Sequence, residues 1–87
     1  MTDVSKLKAL GTLSPGAAGT LARFINSVEH GGTHMIDRLR EMGFAEGVSV
    51  ELLHQSLFGK DPIAVRVGAM TVALRRREAN LIEIQLT

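Results

Sequence analysis

Cysteine is absent from the 87 residues. Its absence excludes a disulfide framework, a Cys-rich zinc site, an iron–sulfur cluster and a thiol nucleophile, so the core alone must hold the fold. Tyrosine and tryptophan are also missing, and three phenylalanines are the whole aromatic content. A surface that stacks on bases, or a groove for proline-rich peptides, has little to be built from. Charge of one sign is not in excess either: 10 Lys+Arg face 9 Asp+Glu, a net +1, far from the balance of a dedicated nucleic-acid binder. Long hydrophobic runs are lacking too. The longest uncharged stretch, Ala9 to Ala22, is interrupted by Gly11, Pro15, Gly16 and Gly19 and falls short of the roughly 20 apolar residues that span a bilayer. The same interruptions deny Lys6 and Lys8 the continuous apolar segment of a secretory signal. A reducing cytoplasm is the expected compartment.

What is present is a chain that is 45% hydrophobic, enough for one packed core, so residues 1–87 are read as a single small domain. Leu13 leads into Ser14, Pro15 and Gly16, a type II turn signal that opens a first strand over Gly19 to Ile25. Asn26 to Thr33 is polar, and Thr33 is placed to cap a helix over about residues 34–42, where Met35, Ile36, Leu39 and Met42 form one apolar stripe. Gly43 then supplies a left-handed ending, with Phe44 folded back onto Leu39. Val48 to Leu53 alternates as a second strand. Ile63 to Val67 and Met70 to Leu74 read as a hairpin whose two-residue tip, Gly68 and Ala69, suits a type II′ turn. A helical turn at Arg76 to Asn80 precedes a fifth strand over Ile82 to Leu86. The fold class is therefore mainly β (α+β), and five short antiparallel strands with one inserted helix are expected to curl into a small SH3-like barrel.

Catalysis has no constellation to stand on: a phosphate-binding glycine loop, a metalloprotease helix and a serine elbow are all missing. His30 and His34 stand four apart, yet Gly31 and Gly32 lie between them and a third ligand is not at hand, so loop and first-turn histidines are the expectation. His54 is expected at the surface. Asp37 and Glu41, flanked by Arg38 and Arg40, read as a salt-bridged helix face. No metal and no cofactor is expected. Arg75, Arg76 and Arg77 form the one charge run, equally suited to gripping an acidic partner and to solvation. Leu57 and Phe58, followed by Gly59, Lys60, Asp61 and Pro62, are either folded back as a barrel plug, the favoured expectation, or exposed for a partner.

The order of these motifs resembles the FeoA family, the small cytosolic component of bacterial ferrous iron transport. The resemblance is carried by Arg38 to Phe44 with Gly47, by Val48 to Leu53, by Gly59 with Asp61, Pro62 and Ile63 to Val67, and by Met70 to Arg75 with Glu78 and Ala79 before Ile82. Leu13 to Gly16 fits as well. The chain departs from the family's Leu, Gly, Asp, Pro loop, because Phe58 takes the Leu place and Lys60 is inserted; its hairpin tip is shifted by one position. The resemblance implies an SH3-like barrel without enzymatic activity that acts on FeoB, the membrane permease with a GTP-binding domain. The partner-binding residues expected here are Leu57, Phe58, Lys60, Arg75, Arg76 and Arg77. The alternative is the SH3-like regulatory domain of an iron-dependent transcriptional repressor.

Overall fold

The computed structural model describes residues 3–26 and 32–87. Six strands, β1 (Leu7–Ala9), β2 (Ala18–Phe24), β3 (Ser49–Gln55), β4 (Ile63–Val67), β5 (Met70–Leu74) and β6 (Ile82–Leu86), pair antiparallel in the order β1-β6-β2-β3-β4-β5. Helix α1 (Gly32–Glu41) lies between β2 and β3, and the single turn α2 (Arg76–Ala79) between β5 and β6. Inward residues from β2 to β6, among them Leu21, Val50, Leu52, Val65, Leu74 and Ile84, join one buried cluster with Leu10, Leu39, Phe44 and Leu81. That shared interior makes the curled sheet a small SH3-like barrel, the architecture the alternation predicts, with one strand more.

The additional strand is β1, whose Leu7 faces Gln85 and Ala9 faces Glu83. Three residues between two 3-10 turns, Val4–Lys6 and Leu10–Thr12, are too few to print an alternation in the sequence. The turn ahead of β2 is type II as expected: Gly16 has φ 99 and the Ala17 N–H donates to the Ser14 carbonyl at 3.1 Å. Bulges at the register shifts between Leu21 and Arg23 and between Leu52 and His54 let the strands bend.

Thr33 is not the cap that its position suggests. Gly32, at φ 57, makes the change of direction, and Thr33 falls inside the first turn. The helix ends as read. Gly43 sits at φ 110, its N–H donates to the Arg40 carbonyl at 3.0 Å, and the Phe44 N–H donates to the Leu39 carbonyl at 3.1 Å. These are the two bonds of a Schellman ending, and they carry the Phe44 ring into the core with no exposure. At the hairpin tip Gly68 is left-handed and Ala69 is not, which is the type II′ pattern.

Candidate functional site

Residues 56–62 join β3 to β4 and project from the barrel. Leu57 is 94% exposed and Phe58 88% exposed, so the favoured plug is overturned. The reason is local. The Phe58 N–H donates to the Ser56 hydroxyl at 3.2 Å, the Ser56 N–H donates to the Pro62 carbonyl at 3.1 Å, and Gly59 and Lys60 both turn left-handed, at φ 79 and φ 63. The loop therefore closes on its own base and turns its apolar tip outward, while the core is already filled by Leu10, Leu52, Ile63 and Leu74. The inserted Lys60 is the one described non-glycine residue at positive φ, so the departure in sequence is also the strained point of the backbone.

The base of this loop is held by Arg76. Its backbone N–H donates to Asp61 Oδ1 at 2.9 Å, and its Nε donates to the Lys60 carbonyl at 2.8 Å. Nη1 reaches the carbonyls of Gly11 at 3.1 Å and Leu13 at 2.7 Å, and Nη2 reaches Gln55 Oε1 at 2.7 Å. One guanidinium thus joins the turn before β2, the end of β3, the projecting loop and α2. Gly11 is needed there, because a Cβ at that position would run into the Arg76 carbonyl and Asn80. Arg75 and Arg77, by contrast, are exposed. The Arg75 N–H is accepted by Glu78 Oε1 at 2.8 Å, which begins α2 in the manner of half a capping box. The run of three arginines accordingly divides into one side chain engaged inside the molecule and two that face solvent.

Of the residues expected to meet a partner, the fold brings Leu57, Phe58 and Lys60 together on one loop and ties that loop to the Arg75–Arg77 turn through Arg76. Gln55, Asp61 and the Gly11 and Leu13 carbonyls, which hold this arrangement together, carry no sign of that role in the sequence. Asp61 stood in the sequence only as part of a motif, and a backbone carbonyl leaves no mark there at all. Beside the loop lies an open groove of about 330 Å³, lined by His54, Gln55, Ser56, Pro62, Ala64 and Ala73 among others. Its floor is the cross-strand row His54, Ala64, Ala73 on the outer face of β3, β4 and β5.

The last turn of α1 carries a separate cluster. Arg40 forms a forked pair with Glu46, at 3.0 and 3.2 Å, and its guanidinium lies 4.4 Å from the centre of the Phe24 ring. The hydrogen bond to Arg40 holds the Glu46 carboxyl below the usual carboxylate range, and the same bond raises Arg40. The expected pairing within the helix, around Asp37 and Glu41, is thus replaced by a pairing from the helix to the turn before β3. His34 and His54 are exposed, and His30 lies outside the described residues. Among the described residues, three or more His, Asp or Glu side chains do not gather in a metal-binding arrangement. No helix there is long and apolar enough to cross a membrane.

A family model for the FeoA domain matches residues 8–86. Among solved structures, the iron(II) transport protein A from Clostridium thermocellum is 32% identical with a TM-score of 0.75, over 92% of this chain and 46% of its own. A zinc-complexed FeoA from Stenotrophomonas maltophilia, described as a prokaryotic SH3 domain protein, is 27% identical with a TM-score of 0.74, over 88% of each chain. A manganese-dependent transcriptional repressor, at 22% identity and a TM-score of 0.77, shares the fold over 93% of this chain and 42% of its own length. No curated protein matches the sequence.

Proposed function

The chain belongs to the FeoA domain family, and from that membership we propose that it is a non-enzymatic cytosolic accessory of bacterial ferrous iron uptake. It acts by contact with the cytosolic, GTP-binding region of a FeoB-type permease. Support comes from two similar proteins, one named an iron(II) transport protein and the other a FeoA for which the role of a ferrous iron transport activating factor has been suggested. The observation that carries the contact reading is the projecting loop. Large apolar side chains at 94% and 88% exposure on an anchored base are what a binding anchor needs, and a stable isolated domain does not.

In this reading Leu57 and Phe58 supply the buried contact, Lys60, Arg75 and Arg77 steer an acidic surface toward it, and Arg76 positions the loop from within. Phe58→Ala is expected to weaken binding to the permease's cytosolic region by about 1 kcal/mol or more while melting like the parent. Calorimetry paired with circular dichroism separates binding from folding. A variant that melts and binds like the parent would remove this loop from the interface.

The likeness to the manganese-dependent repressor favours a second reading, a regulatory barrel that contacts another domain of an iron-dependent repressor. Genomic context discriminates: a large GTP-binding permease encoded alongside supports the first, and a DNA-binding domain in the same reading frame supports the second.

A further inference from the structure

Among the described residues, the hydrogen-bonded order leaves β1 and β5 with one neighbour each. β1 is short, carries the exposed Lys8 and is bracketed by 3-10 turns, all devices that keep an edge from pairing. β5 has none of them. Met70–Leu74 contains no charge, proline or glycine, and among the described residues no backbone hydrogen bond reaches it from outside β4. The two-residue tip makes Val67 and Met70 a hydrogen-bonded pair, so alternation makes Arg66 with Thr71 and Ala64 with Ala73 the pairs without mutual bonds. The N–H and C=O groups of Thr71 and Ala73 therefore point away from β4, toward a side of β5 that pairs with no described strand.

Side chains define what that position takes. Ala73 ends the row His54, Ala64, Ala73, so the side chain opposite it on an added strand lies over the 330 Å³ groove, with room for a leucine or methionine. One alternation further, the added strand passes the exposed Arg75, two residues before the exposed Arg77, while the Lys60 carbonyl is joined to the intervening Arg76. Arg75, Arg77 and Lys60 have no ion-pair partner among the described residues. The neighbouring acids, Asp61 and Glu78, are turned to the backbone N–H groups of Arg76 and Arg75.

We propose that β5 is a strand-addition edge whose occupant is an extended segment of a partner protein, acidic opposite Arg75 and apolar at the alternate residue opposite Ala73. This specifies the partner contact of the preceding section and rests on that reading. Main-chain bonds to Thr71 and Ala73 give the affinity, and the groove and the arginines select the sequence. An acidic segment is favoured over a second copy of this chain because Met70–Leu74 carries no acidic residue to lie opposite Arg75.

The test uses the full chain with two probes: the permease's cytosolic region, and a short synthetic peptide in which aspartate and leucine alternate with threonine. Amide exchange followed by NMR is expected to show Thr71 and Ala73 unprotected in the free chain and protected at least tenfold at saturation with either probe. Ala73→Pro removes an outward N–H that the fold does not use, so it should leave the melt unchanged and weaken both probes roughly tenfold. Ala73→Lys, which places a cation over the groove, serves if the proline variant unfolds. Permease binding that leaves Thr71 and Ala73 unprotected overturns the strand addition and spares the contact reading. Failure of the parent to bind the permease sinks the contact reading, and the peptide then decides the edge: protection at Thr71 and Ala73 sustains it, and unchanged exchange overturns it. Protection that grows with protein concentration alone assigns the edge to a second copy and overturns the proposal.

Discussion

Phe44 and Phe58 each stand next to a left-handed glycine, yet one ring is wholly buried and the other is 88% exposed. At Phe44 the glycine comes first, and the hydrogen bonds from Gly43 and Phe44 back to Arg40 and Leu39 reverse the chain under the apolar face of α1. At Phe58 the glycine comes after, and the bonds close the loop on Ser56, Pro62 and Arg76, so the same residue pair becomes a projecting tip on a fixed base. A Phe beside a Gly is therefore ambiguous. What decides its fate is where the freed backbone groups find partners.

The contrast is broken most directly by truncating both rings. Phe44→Ala should destabilise by about 3–5 kcal/mol, because a filled core site is emptied. Phe58→Ala should cost less than about 0.5 kcal/mol, as an exposed side chain does. Denaturant unfolding measures both, and equal losses would erase the distinction. Arg76→Ala is next in size, at about 2 kcal/mol, since charge-assisted bonds are lost and the Gly11 and Leu13 carbonyls lose their donor. Arg76→Lys should recover little of this, because an ammonium cannot span the same acceptors. Gly43→Ala should cost about 1–2 kcal/mol. The added Cβ would have only Val67 Cγ1 within reach, at 3.9 Å, so the cost is conformational and not steric.

The smallest effect belongs to the Arg40 and Glu46 pair. Its carboxyl titrates below the usual range in the folded chain, so the pair stabilises above the unfolded carboxylate range and the gain is lost as pH falls through the lowered value. Thermal melts of the parent and Glu46→Gln should differ slightly near neutrality and converge in acid. The gap should narrow in high salt, as for any exposed pair.

These regions also differ in how far the sequence reveals them. The helix stripe, Gly43 with Phe44 and the Gly68 hairpin tip are local patterns with one physical solution each, and they were legible. β1 was not, because three residues carry no period. The direction of Leu57 and Phe58 was not, because the backbone bonds that close the loop on Ser56 and Pro62 follow from no pattern of residue types, and its base is held by Arg76, remote in sequence. For the same reason the arginine run looked uniform: nothing in three adjacent identical residues tells which one meets the carbonyls of Gly11 and Leu13.

The strand order has a consequence for how the protein is made. β6 is the last of the described strands in chain order, yet it lies between β1 and β2 and pairs with both. On the ribosome, with synthesis at about 5–20 residues per second, β1 and β2 emerge long before β6, the partner they share, exists. The hairpin of β4 and β5 can form during synthesis, but the barrel cannot close until Ile82–Leu86 has been released. Folding is thus tied to the completion of this stretch, and a chain shortened before Ile82 would leave β1 without its one partner among the described strands and β2 paired with β3 alone.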